Sequence, residues 1–219
     1  MICFVQARMN SKRLPGKTMK IIKNKPVLFY VLSRLKKSKF LKKIVVLTST
    51  KKTDNIIVKY CEDNNVQVFR GELNNVAKRF VKAIKYFKIN SFVRITGDSP
   101  NIDPNLVDRL IFKFKKNNYD IVTNCKKKTF PKGQSIEVLN SKVFLKAFKI
   151  LKRKKYLEHI TNFFYDNEKK FKIYSFSNKI FYRKKNLSID NHYDLKKFDR
   201  YLSRTRNLSL NWKKIYQKY

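Results

Sequence analysis

Apolar and polar positions alternate along this chain in blocks, short apolar runs giving way to amphipathic stretches. Residues 2–6, "ICFVQ", predict a buried strand, and a polar, basic loop follows through Lys17. Behind Pro26, the residues Val27, Leu28, Val31, Leu32 and Leu35 fall on one stripe and predict an amphipathic helix. Further strands are expected at 42–49, 66–69, 91–96 and 120–124. Between them, Thr53-Asp54 opens a helix carrying Ile56, Ile57 and Tyr60. A second runs from about Asn74 to Phe87 and buries Val76, Phe80, Val81 and Ile84. A third starts near Asp103-Pro104 and presents Leu106, Val107, Leu110, Ile111 and Phe114. After a strand at 136–140 the pattern is less regular, with helices near 141–153 and 156–166, strands at 171–176 and 187–189, and C-terminal helices from about Tyr193.

Strands alternating with helices of this length predict an α/β fold with a mostly parallel sheet covered on both faces. At 219 residues the chain fits one domain, and the irregular segment at about 126–185 reads as a small lobe inserted into it.

Composition changes this picture little. Hydrophobic residues make up 42% of the chain, with 18 Phe and 12 Tyr, so a packed core is expected rather than a disordered basic tail. No apolar run reaches the roughly 18 residues of a membrane span, and the N-terminus has no leader pattern, so a cytoplasmic location is expected. Cys3, Cys61 and Cys125 are odd in number and far apart, which fits buried thiols better than a disulfide framework or zinc ribbon. Neither His159 nor His192 sits at a metal-ligand spacing. The net charge of +38 suggests a binder of nucleic acid or another anionic polymer. The lysines, however, are spread over nearly every segment, which fits a drift of composition better than one basic patch.

The candidate chemistry begins at "ARMNSKRLPGKTMK" (7–20), whose Gly16-Lys17-Thr18 ends like a P-loop. A P-loop needs glycine where Ser11 stands, Pro15 removes an amide donor from the cradle, and "KIIKNKP" is a poor helix start, so that reading is rejected. What remains is a loop at the carboxyl end of the first strand with Arg8, Lys12, Arg13 and Lys17 around a Pro-Gly turn. Such a loop suits a polyphosphate, and arginine's planar fork suits its oxygens. In "RITGDSPNIDP" (94–104), Gly97 permits close backbone approach and Asp98 is a hard oxygen ligand for Mg²⁺, or else a turn residue; Asp103 before Pro104 reads as a helix cap. Asp190, in "LSIDNHYDL" (187–195), completes a metal site if folding brings it beside Asp98, while Asp194 reads as a first-turn helix residue.

"QARMNSKRLPGK" (6–17) resembles the opening signature of the sugar cytidylyltransferases, the group of the synthetases for CMP-3-deoxy-manno-octulosonate and CMP-sialic acid, and most resembles the spore coat polysaccharide biosynthesis protein F branch. The likeness continues in order through "VFRGELNNVAKRF" (68–80), "VRITGDSPNIDP" (93–104), "FPKGQSIEVLN" (130–140), "EHIT" (158–161) and "SIDNHYDL" (188–195). It implies a glycosyltransferase-A-like nucleotide-binding fold and transfer of CMP from CTP to a sugar, a nonulosonate or related surface-polysaccharide sugar, with release of pyrophosphate. It further implies Arg8, Lys17 and Asp98 as catalytic residues, and Ala7, Arg8, Arg13, Lys17, Arg79, Thr96 and Gly97 around the nucleotide. Gln134, Glu137, Glu158 and His159 would face the sugar, Asp98 and Asp190 would hold Mg²⁺, and a homodimer through the second half is suggested, with the aromatic stretch 162–176 as a candidate surface. Two departures stand out: Asn74-Asn75 replaces an acidic pair, and Ser135 replaces an aspartate. The rival readings are a nucleotide-sugar glycosyltransferase, disfavoured because Gly97-Asp98-Ser99-Pro100 is not an Asp-x-Asp motif, and a non-enzymatic basic binder.

Overall fold

The computed structural model describes residues 1–205 and 209–219. The chain opens with β1 (Ile2–Gln6), a small hairpin of β2 (Ile21–Ile22) and β3 (Lys25–Pro26), and α1 (Val27–Leu35). The regular half continues with β4 (Lys43–Ser49), α2 (Asn55–Asp63), β5 (Gln67–Gly71), α3 (Val76–Tyr86), β6 (Ser91–Thr96), α4 (Pro104–Lys116) and β7 (Ile121–Thr123). The second half holds β8 (Glu137–Asn140), α5 (Ser141–Phe148), α6 (Lys154–Glu158), α7 (Asn162–Asp166), β9 (Ile173–Ser175), α8 (His192–Arg204) and α9 (Trp212–Lys218).

The sheet order is β5-β4-β1-β6-β8-β7-β9. β5, β4, β1 and β6 are parallel, β8 runs antiparallel between β6 and β7, and β9 is parallel to β7. Alternating residues of each strand face opposite layers, as the two-residue period requires. Cys3 and Val5 of β1 join Val46, Val93 and Ile95 under α1, α2 and α4, whereas Phe4 joins Val45, Leu47 and Phe92 under α3 and α5. Phe4 meets Phe80 edge to face at 5.7 Å between ring centroids. From β1 the chain moves outward to β4 and β5, then returns to β6 on the other flank of β1. The loops leaving β1 and β6 therefore start side by side and lead to opposite flanks of the sheet, and the carboxyl end at such a reversal is where an open α/β sheet takes its ligands.

Within segment 126–185, β8 enters the main sheet and β9 forms its edge. Two expectations need correction. The helix expected at 156–166 is two short ones, since β-branched Ile160 and Thr161 sit at the break, where helix propensity is low. Tyr156, Ile160 and Phe164 still face inward, which is why the spacing reads as one helix. Residues 187–189 form no strand: the Leu187 N–H donates to the Lys132 carbonyl (3.0 Å) and the Ile189 N–H to the Asp98 carbonyl (2.8 Å), clamping the segment between two loops. The aromatic stretch 162–176 also turns rings into the core, with Phe164 and Phe171 4.9 Å apart.

Gly133 holds that clamp. Its φ is +88°, and an added Cβ would lie 2.6 Å from the backbone carbon of Leu187. Gly133→Ala is expected to destabilise the protein by about 1–3 kcal/mol in urea unfolding; an unchanged midpoint would mean that the clamp gives way freely.

Candidate functional site

The loop after β1 is tied down from both ends. The Met9 carbonyl accepts from the Gly16 N–H (2.8 Å) and the Ser11 N–H (3.0 Å), and Gly16 takes φ +69° to close the turn. Only a single 3-10 turn, Lys17–Met19, follows it, in keeping with the rejection of a P-loop, whose glycines lead into a long helix. Leu14 is fully buried against Leu187, Ile189 and Phe198, anchoring the middle of the loop while Arg13 and Lys17 on either side line a cleft. Below it, Asp54 is fully buried and accepts from the Met9 N–H (2.8 Å), the Ser49 N–H (3.0 Å) and the Thr48 hydroxyl (3.1 Å).

The loop after β6 touches the first one. The Gly97 N–H donates to the Gln6 carbonyl at 2.8 Å. A Cβ at Gly97 would stand 3.0 Å from that of Ala7 and 3.2 Å from the Gln6 oxygen, so both positions are small because the loops meet there. This approach carries Asp98 to the Lys17 ammonium, which it binds as an ion pair. Asp190, from the segment clamped by Gly133, has its Oδ1 3.3 Å from the same ammonium and 2.9 Å from an Arg13 Nη2. Across the cleft, Arg8 pairs with Glu158 on α6 at 3.0 Å, and that hydrogen bond lowers the Glu158 carboxyl below the usual range. Gln6, Arg94 and Thr96 line the cleft between these two sides. Arg94 donates to Glu137 and to the Gln6 side-chain oxygen (3.2 Å), and Tyr165 donates to Glu137. Burial, with Glu137 alongside, raises the Tyr165 hydroxyl pKa well above its ordinary value.

The resulting cleft measures about 560 Å³, and six basic side chains (Arg8, Lys12, Arg13, Lys17, Arg94, Lys154) face three acidic ones (Asp98, Glu158, Asp190) in its lining. A concave surface with that excess suits a polyphosphate. Asp98 and Asp190 supply hard carboxylate oxygens around one shared cation. Among the described residues no third acidic, histidine or cysteine side chain completes a cluster with them. Two carboxylates with room for phosphate oxygens fit Mg²⁺, which takes few protein ligands beside a bound phosphate.

Of the residues expected from sequence, Arg8, Arg13, Lys17, Thr96, Gly97, Asp98, Glu158, His159 and Asp190 all line this one cleft. Ala7 does not line it, being buried at the contact with Gly97. Arg79 lies wholly buried behind it. Among the described residues none of its guanidinium nitrogens has a hydrogen-bond partner, and burial, with Arg8 adding to the effect, brings its pKa down to about 10. Gln134 leaves the sugar-facing set: fully buried, it accepts from the Asp103 N–H and donates to the Asn101 carbonyl, bracing the turn after Asp98. Glu137 also lies outside the lining, holding Arg94 from behind. Ser135 faces a separate cavity of about 280 Å³ beside Cys125 and Arg183. Of the Asn74-Asn75 pair, Asn74 lines the cleft and Asn75 caps α3, accepting from the Lys78 N–H at 2.8 Å. Asp103 caps α4 and also accepts from the Trp212 N–H (2.9 Å), while Asp194 forms a capping box with Asn191.

Sequence reasoning missed Gln6, Asn10, Arg94, Lys154 and Asp54. Arg94 left a signal, a charged residue inside an apolar strand; Asp54 left none, because its partner Met9 is distant in sequence.

Residues 2–218 match the family described as cytidylyltransferase. The spore coat polysaccharide biosynthesis protein SpsF of Bacillus subtilis is 34% identical over 164 residues, which cover 72% of this chain and 66% of that protein. The structure of a cytidylyltransferase from Leptospira borgpetersenii superposes with a TM-score of 0.94 at 32% identity, covering 99% of this chain and 92% of that one. A structure of CMP:2-keto-3-deoxy-manno-octonic acid synthetase complexed with CTP shares the fold, with a TM-score of 0.71 at 15% identity over 93% of this chain and 98% of that one.

Asp54→Ala strips partners from the part-buried Met9 amide and the buried Ser49 amide and is expected to cost about 1–3 kcal/mol in urea unfolding. It should also weaken nucleotide binding by loosening the loop; tight binding by a destabilised variant would contradict that link.

Proposed function

This chain belongs to the cytidylyltransferase family, and we infer on that premise that it transfers CMP from CTP to a hydroxyl of a sugar, a nonulosonate or related surface-polysaccharide sugar. The observation that carries this reading is the meeting of three chain segments at the carboxyl ends of β1 and β6, where Lys17 binds both Asp98 and Asp190 beside Arg13. In the proposed reaction the sugar hydroxyl oxygen attacks the α-phosphorus of CTP and gives up its proton to solvent. The bond from that phosphorus to the bridging oxygen breaks, and pyrophosphate leaves.

Negative charge grows on the phosphate oxygens and the departing pyrophosphate, and preorganised cations stabilise it without a covalent intermediate. Arg8, Arg13 and Lys17 take that role. Asp98 and Asp190 would hold Mg²⁺, whose charge offsets that of the triphosphate. Thr96 and Gly97, which line the cleft, would meet the ribose or base, Ala7 would support Gly97 from below, and Arg79, enclosed outside the lining, would act on the nucleotide side only through its charge. Glu158 and His159 on the far wall would face the sugar, while Glu137 would act indirectly by holding Arg94 and Gln134 by bracing the turn after Asp98.

The test is pyrophosphate release from CTP, UTP, ATP or GTP against a panel of sugar acids and neutral sugars in the presence of Mg²⁺. CTP-dependent release with one class of sugar is expected, and Asp98→Asn should lower it by at least about 100-fold with the fold intact. Full turnover by that variant would remove Asp98 from the site.

A further inference from the structure

Lys17 stands where a divalent cation would stand. Its ammonium is bonded to Asp98 and lies 3.3 Å from Asp190 Oδ1, and the three side chains are only 13–20% exposed. Two carboxylates brought this close repel each other unless a cation lies between them. Among the described residues, Lys17 forms ion pairs with these two acids alone. We propose that Lys17 is an internal counter-ion that holds the two carboxylates until a triphosphate draws it away, so that divalent metal and nucleotide can bind well only together.

Displacement of Lys17 rests on the metal reading given above and follows from charge. A divalent ion arriving alone must push the ammonium off Asp98 and Asp190 into a cleft already lined by six basic side chains against three acidic ones. It gains two carboxylates but leaves a mostly buried ammonium without an acceptor, which is costly. A triphosphate arriving alone gives Lys17 and Arg13 new oxygens, but leaves Asp98 and Asp190 facing it uncompensated. When both arrive, the phosphates take the ammonium and the guanidinium, the carboxylates take the metal, and no charge is left unpaired. Arg13, 65% exposed and bonded to Asp190 through one nitrogen, can swing toward the phosphates with little loss of packing. Coupling of this kind is reciprocal: whatever factor the nucleotide adds to metal affinity, the metal adds to nucleotide affinity, and about 5- to 150-fold is usual.

The experiment is a Mn²⁺ titration of the whole chain, read by the electron paramagnetic resonance of free Mn²⁺, with and without CTP, and corrected for Mn²⁺ held by CTP itself. The unmodified protein should bind Mn²⁺ weakly alone and about 5- to 150-fold more tightly with CTP. Lys17→Met and Lys17→Gln should bind Mn²⁺ without nucleotide at least about tenfold more tightly than the unmodified protein, and Asp98→Asn should lose both modes. Inorganic tripolyphosphate should replace CTP as the promoter in the unmodified protein, because only phosphate oxygens are needed to draw Lys17 off. This arm does not depend on any variant folding. If CTP promotes Mn²⁺ binding but both Lys17 variants bind the metal alone no better, or tripolyphosphate fails as promoter, the displacement proposal falls and the metal site stands. If CTP promotes no Mn²⁺ binding at all, the metal reading falls and the proposal with it.

Discussion

The hydrogen bond from the Gly97 amide to the Gln6 carbonyl joins the two loops on which the whole site is built. The approach is tight enough to favour small residues on both sides: a Cβ at Gly97 would stand 3.0 Å from that of Ala7 and 3.2 Å from the Gln6 oxygen. With the carboxyl ends of β1 and β6 locked edge to edge, Asp98 reaches Lys17, and its own carbonyl receives Ile189, which brings Asp190 in beside it. Buried Leu14 and Asp54 then hold the first loop from above and below. Leu14, Asp54 and Ile189 lie outside the cleft lining, which leaves the cations and carboxylates free to meet a ligand.

Electrostatics in the cleft differ from those of the surface. The chain carries a net charge of +38, yet most of that charge is dispersed, exposed and open to screening by salt. Within the cleft, acids and bases are interleaved: Arg8 with Glu158, Arg13 and Lys17 with Asp190, Lys17 with Asp98. Such pairing holds the cations and carboxylates at the cleft, mutually neutralised, until a ligand takes them up. A surface that attracts polyanions indiscriminately needs no such arrangement.

The parallel sheet was legible because its strands are continuous apolar runs and its helices carry clear stripes, both signals local to a few residues. The loop chemistry was legible for the same reason: Arg13 through Lys17, and Gly97-Asp98, are short stretches with unusual residue choices. Their convergence was not, since it depends on strand order. Gln134 and Glu137 fall in a recognisable stretch, but their direction is set by the antiparallel entry of β8 and the turn at Asn101, both long-range features. Arg79 reads as one more charge on the helix 76–86, and only packing against Gly71 shows that it is enclosed. Residues 187–189 look like a strand because Leu187 and Ile189 alternate, whereas their amides are taken by loop carbonyls on two sides.

The central claim is that the cleft, and not the diffuse charge, recognises a cytidine triphosphate. Calorimetric titration with CTP, UTP, ATP and GTP, with Mg²⁺ present and salt at about 0.2 M to screen distant charges, addresses it directly. Binding should be selective for CTP, abolished by Arg13→Ala and unaffected by Lys115→Ala on the exposed surface of α4. Equal binding of all four nucleotides, fading with added salt and weakened alike by both substitutions, would contradict it.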